Sequence, residues 1–121
     1  MNTPRKIVVV EDERDILEMI CLSLGRAGYL VYPTRSCSEG HKTLLAEQPL
    51  LVLTDNFLPD AEGCDLIRKI KDDPATSAIK TILMTAGSRL SRDSGTGMPD
   101  FQMQKPFGLR ELNAVVGRML N

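Results

Sequence analysis

The chain has 121 residues, 42% of them hydrophobic, which is enough for one buried core and suits a single domain over residues 1–121. It carries 15 basic against 16 acidic residues, a formal net charge of -1, and no basic stripe interleaved with aromatics, which argues against direct contact with nucleic acid. Cys21, Cys37 and Cys64 are odd in number and share no C-x-x-C spacing, so a disulfide framework and a structural zinc site are disfavoured and a reducing cytoplasm fits best.

The polar start, Met1 to Lys6, meets only a short apolar run, too brief for a signal-peptide core or a membrane span. That run, Ile7-Val8-Val9-Val10, is continuously apolar and β-branched, as a strand covered on both faces should be. Asp12 is a candidate cap for a first helix, in which Ile16, Met19, Ile20, Ser23, Leu24 and Ala27 follow helical spacing and Gly28 supplies the stop. Tyr29 to Tyr32 reads as strand two, closed by Pro33. Ser36-Cys37-Ser38-Glu39 has capping-box spacing and predicts a second helix running to about Gln48.

Leu50 to Leu53 forms strand three, followed by a loop bracketed by Pro59 and Gly63. Leu66, Ile67 and Ile70 mark one face of helix three, with Asp65 and Lys69 spaced for an ion pair on its wet side and Pro74 as terminator. Thr81 to Met84 is strand four. Ser88 to Pro99 is rich in Gly and Ser and lacks an apolar stripe, so at most a turn of helix is expected there. Strand five spans Phe101 to Gln104, and Leu109, Leu112, Val116 and Met119 line the last helix. Five strands alternating with helices describe an α/β protein with a parallel sheet covered on both faces, its fourth helix weak or disordered.

In such a sheet all carboxyl ends lie along one edge, where ligands bind. Strand one runs into Glu11 and Asp12, strand three into Asp55, strand four into Thr85 and strand five into Lys105. Three carboxylates in one crevice repel one another unless a cation is present. Oxygen donors without His or Cys select Mg²⁺ or Mn²⁺ over zinc, and Mg²⁺ commonly bridges to a phosphate. Glu11-Asp12-Glu13 on their own would be no more than an acidic helix start; their convergence with Asp55, Thr85 and Lys105 is what points to a site. His41 reads as a surface residue of helix two, Cys21 and Cys64 as small packing groups, and Thr54 as turned away from the acidic cluster.

Four segments in order, Lys6-Ile7-Val8-Val9-Val10-Glu11-Asp12-Glu13, Asp55-Asn56-Phe57-Leu58-Pro59 with Gly63, Thr85-Ala86 and Lys105-Pro106-Phe107, resemble the receiver domain of two-component response regulators, the CheY-like family. The resemblance covers essentially the whole chain and implies a doubly wound, five-stranded parallel sheet of order 2-1-3-4-5. It makes Asp55 the acceptor of a phosphoryl group from a phosphohistidine of a sensor histidine kinase or phosphotransfer protein. It also assigns Mg²⁺ to Glu11, Asp12, Asp55 and the backbone carbonyl of Phe57, and sets Lys105 and the Thr85 hydroxyl against phosphoryl oxygens. The Lys105-Pro106 bond would be cis. The domain would be a substrate that assists its own modification rather than an enzyme, a monomer or weak dimer, cytoplasmic, binding a downstream effector but neither nucleic acid nor membrane directly. It would act alone or as a piece of a longer regulator or hybrid kinase.

Two departures from the family pattern bear on switching. Gln102 stands where relatives usually carry the Tyr or Phe whose rotamer follows the threonine, and strand alternation turns the adjacent Phe101 to the opposite face. With the Gly- and Ser-rich stretch from Ser88 to Met98, read as mobile, this keeps open a phosphorylation-independent interaction domain on the same fold. Phe57 and Gly87 occupy positions that in the family influence access of hydrolytic water, and they push in opposite directions. A phosphatase of the haloacid-dehalogenase type would need a second aspartate two residues after Asp55, where Phe57 stands.

Overall fold

Strand and helix alternate through the computed structural model, which describes residues 3–86 and 98–121. In chain order the elements are β1 (Lys6–Val10), α1 (Arg14–Arg26), β2 (Leu30–Thr34), α2 (Cys37–Glu47), β3 (Leu51–Asp55), α3 (Gly63–Asp72), β4 (Lys80–Thr85), β5 (Phe101–Gln104) and α4 (Leu109–Leu120). The five strands form one sheet in the order β2-β1-β3-β4-β5, every neighbouring pair parallel. Expectations for the stretch from Ser88 to Met98 and for Gly87 fall on residues 87–97, outside the described residues.

Alternation along the strands sorts side chains between two layers. Ile7, Val9, Leu51, Leu53, Ile82, Met84 and Met103 pack with Leu17, Ile20 and Leu24 of α1 and Leu112, Val115 and Val116 of α4. Val8, Val10 and Val52 face the other way, toward Leu44 of α2 and Leu66 and Ile70 of α3. β3 is buried along its whole length, whereas the edge strands β2 and β5 are largely open, which is why the inner strands read as unbroken apolar runs.

Several local expectations are corrected. Pro33 lies inside β2 and does not close it. Leu30 donates its N–H to Arg5 on the β1 side, so by alternation the position of Pro33 faces outward, where no donor is required. Helix α1 buries Leu17, Ile20 and Leu24, while Met19 is 55% exposed; the apolar pattern covers two adjacent faces and the helix docks on only one. Its N-cap residue is Glu13, not Asp12. In the capping box of α2, Ser36 Oγ accepts from Glu39 N at 3.1 Å, but Glu39 reaches back to Arg35 N, at 2.7 Å, rather than to Ser36. Asp65 pairs with Arg68 at 3.4 Å instead of Lys69. Gly28 takes a φ of 103°, the left-handed stop expected of it. None of the described helices is long and apolar enough to cross a membrane.

Candidate functional site

Because the strands run parallel, the residues ending β1, β3, β4 and β5 share one rim. Carboxylate oxygens of Glu11, Asp12 and Asp55 all lie within 4.8 Å of one another. Glu11 is 1% exposed and Asp55 8%, with Asp12 half-buried. Lys105 sends its Nζ into this cluster, 3.1 Å from Glu11 Oε1 and 3.3 Å from Asp55 Oδ1. Thr85 is buried beside it, and its backbone carbonyl accepts the Lys105 N–H at 2.6 Å, which fixes the base of the lysine. The Lys105-Pro106 peptide is cis, as the resemblance implied.

Each buried carboxylate is braced. Glu11 Oε2 accepts from Glu13 N at 3.0 Å, and Asp55 Oδ1 accepts from Asn56 N at 3.0 Å. Thr54 is turned away, as expected, and its hydroxyl donates to the Asp55 carbonyl at 2.9 Å. Gly63 opens α3 directly behind Asp55: its N–H donates to the Asn56 carbonyl at 2.6 Å, and a Cβ there would collide with the Asp55 carbonyl oxygen. Only glycine allows that approach of α3 to the end of β3. The turn between them folds back through a bridge of Phe57 with Glu62, leaving Phe57 63% exposed two residues beyond Asp55.

The electrostatics follow from burial. Desolvation pushes the Glu11 carboxyl above the usual glutamate range and the Asp55 charge adds to this, against the opposing pull of the Glu13 N–H and Lys105. Burial alone would lower the Lys105 ammonium, but Glu11 and Asp55 hold it above the usual lysine value. Among the described residues one ammonium thus stands against a cluster of three carboxylates, and a hard cation would relieve the remaining charge. The donor set fits Mg²⁺: clustered oxygens only, with no nitrogen or sulfur ligand in the group.

The side chains of Glu11, Asp12, Asp55 and Lys105 meet at the rim, and Thr85 ends the neighbouring strand with its backbone carbonyl bonded to Lys105. Three residues that sequence reasoning missed support the rim. Asn56, besides its N–H on Asp55, accepts from Cys64 N through its side chain at 3.3 Å. Asp60, in the turn after β3, accepts the N–H groups of Cys37 and Ser38, each at 2.9 Å, and so ties that turn to the start of α2. These two bonds lower its pKa. Arg35 donates from Nε and Nη2 to the Asp12 carbonyl at 3.2 and 2.7 Å. The Asn56 contacts stay within eight residues, whereas those of Asp60 and Arg35 join segments more than twenty residues apart, and Asp60 following Pro59 signalled only a turn.

Residues 7–117 match the response regulator receiver domain family. The phosphate regulon transcriptional regulatory protein PhoB of Pseudomonas aeruginosa is 35% identical over 113 residues, covering 91% of this chain and 49% of that protein. The alkaline phosphatase synthesis transcriptional regulatory protein PhoP of Bacillus subtilis is 31% identical over 119 residues, 96% of this chain and 48% of that protein. The chain thus spans about half the length of these relatives. Among solved structures, a CheY-like receiver domain protein from Methanospirillum hungatei superposes with a TM-score of 0.89 at 28% identity, over 98% of this chain and 94% of that one. The signal receiver domain of a signal transduction histidine kinase from Syntrophus aciditrophicus gives 0.84 at 28% identity, over 95% and 89%. By sequence, sheet order and rim chemistry together, the chain belongs to the response regulator receiver family of two-component signalling.

Proposed function

We propose that this receiver takes a phosphoryl group onto Asp55 from the phosphohistidine of a sensor histidine kinase or histidine phosphotransfer protein. The observation that carries this reading is Lys105 Nζ at 3.3 Å from Asp55 Oδ1 and 3.1 Å from Glu11 Oε1, an ammonium set where phosphoryl oxygens would gather. An Asp55 carboxylate oxygen attacks phosphorus, the P–N bond breaks, and the imidazole nitrogen leaves with the electron pair. Catalysis is mainly positioning and charge neutralisation, which the braced Asp55 and Lys105 supply. Bound Mg²⁺ or Mn²⁺, held by Glu11, Asp12, Asp55 and the Phe57 carbonyl, would add positive charge against the phosphoryl oxygens. The chain turns over no substrate but itself.

Phosphorylation adds roughly -1.5 to -2 charge beside Thr85. The Thr85 hydroxyl turns toward it and biases the surface of β5 and α4, which meets the downstream effector. A groove of about 510 Å³ beside Lys105, lined by Ile16, Met19, Ile20, Pro106 and Phe107, gives an incoming phosphohistidine protein an apolar seat next to Asp55. Three free cysteines suit a cytoplasmic location. Incubation with acetyl phosphate is expected to label the protein only when Mg²⁺ is present, and Asp55→Asn is expected to abolish labelling; undiminished labelling of the variant would overturn the assignment.

A second reading, a phosphorylation-independent interaction domain, is favoured by one observation. Gln102, opposite Leu83 in the β4–β5 register, is exposed and polar where the switch needs an aromatic ring. Under that reading effector binding is the same for wild type and Asp55→Asn.

A further inference from the structure

We propose that Arg35 is a positioning residue of the acidic site, holding the Asp12 backbone so that its carboxylate faces Glu11 and Asp55. The inference rests on the reading of those three carboxylates as a metal site. Glu11 is fixed by Glu13 N and Lys105, and Asp55 by Asn56 N and Lys105. Among the described residues no hydrogen bond holds the Asp12 carboxylate itself. What is held is its carbonyl, which lies before the helix: the first helical acceptor is Glu13 O, bonded by Leu17 N at 2.9 Å. Both Nε and Nη2 of Arg35 converge on that Asp12 oxygen.

Arg35 is well placed to act as a brace because its own backbone is fixed on both sides. Thr34 pairs with Val10 in the β1–β2 register and its carbonyl accepts Glu11 N at 3.0 Å. Arg35 N donates to Glu39 Oε1, and Ser36 caps α2. The β1–β2 ladder thus continues beyond the strands, through the guanidinium, to the residue that carries the third carboxylate. An arginine serving only as a counter-charge would face a carboxylate; here two donors converge on a neutral oxygen.

The two roles predict opposite signs. A cation near three carboxylates weakens divalent binding by Coulomb repulsion, so removing a mere charge would tighten Mg²⁺. Removing a brace weakens it, typically by about 10-fold or more for groups that orient metal ligands. Calorimetric titration of the 121-residue chain with Mg²⁺ is therefore expected to show Arg35→Ala binding about 10-fold more weakly than wild type. Its melting curve in EDTA should stay close to wild type, while the amide resonance of Glu13, on the peptide whose carbonyl Arg35 grips, should shift. Unchanged or tighter Mg²⁺ binding would overturn the proposal. Should Arg35→Ala not fold, Arg35→Lys, which keeps the charge and gives up the two-pronged contact, is read the same way: weaker binding supports the brace, and wild-type or tighter binding overturns it. Asp12→Asn, titrated in parallel, separates the two levels. If it binds Mg²⁺ as wild type does, or if wild type binds none, the metal reading itself fails and the role of Arg35 with it.

Discussion

Asp100, just before β5, gathers more contacts than its position in a connecting segment would suggest. Its carboxylate accepts from Lys71 Nζ at 2.8 Å, Thr81 N at 2.8 Å and Thr81 Oγ1 at 3.1 Å, joining α3, β4 and β5 at the end of the sheet opposite the acidic rim. Burial alone would raise its pKa, but Lys71 and Thr81 outweigh this and hold it below the ordinary 3.8. A carboxyl with a depressed folded-state pKa lends stability that is complete above its ordinary value and is lost as pH falls through the lower one. Asp100→Asn should therefore cost about 1–2 kcal/mol at neutral pH, the scale of a partly exposed charged hydrogen-bond cluster. In urea unfolding the gap between wild type and variant should close as pH is taken below 3.8; a constant gap would show that the charge is not the cause. Nothing in the run Met98-Pro99-Asp100 announces this role, because Lys71 and Thr81 lie far off in sequence.

At the scale of elements, the turn between β3 and α3 is held from outside by α2. Asp60 caps the first two N–H groups of that helix while Ser36 caps the third, so the end carrying Phe57 and the helix start stabilise each other. Asp60→Ala is expected to lower stability by about 1 kcal/mol, the usual worth of a helix cap, and to accelerate amide exchange at Cys37 and Ser38 specifically. Exchange that is faster throughout the chain would point to a general loss of stability instead. The elements themselves were largely legible, since inner strands need unbroken apolar runs and Ser36 and Gly28 sit at their helix ends as local chemistry requires. What failed were choices among near-equal local options. Asp65 had Arg68 and Lys69 both within reach one turn on, α1 had two apolar stripes to offer the core, and Pro33 is forbidden in a strand only if its missing N–H is needed.

For the molecule as a whole, the rim was readable because parallel topology turns strand order into proximity: Glu11, Asp12, Asp55, Thr85 and Lys105 each follow or end a strand, and the sheet brings those ends together. The braces were not readable, since Arg35 and Asp60 act across the gap between neighbouring connections, which carries no periodic signal. The crowding of carboxylates also has a thermodynamic consequence. A cation that binds only the folded state adds RT ln(1 + [L]/Kd), about 1.4 kcal/mol at ten times Kd, so Mg²⁺ should raise the melting temperature of wild type. Asp12→Asn should show little of that rise; an equal rise in both would place the ion elsewhere.

Pro33 also leaves the outer side of β2 short of one backbone donor. The outer side of β2 is one border of the sheet, where no further strand pairs among the described residues, and an incoming strand from another molecule would find a ladder lacking one of its donors at that position. Such a gap discourages the edge-to-edge growth by which exposed sheets coalesce into insoluble material. A proline at that place thus withholds one hydrogen bond from any strand adding there, at no cost to the pairing of β2 with β1.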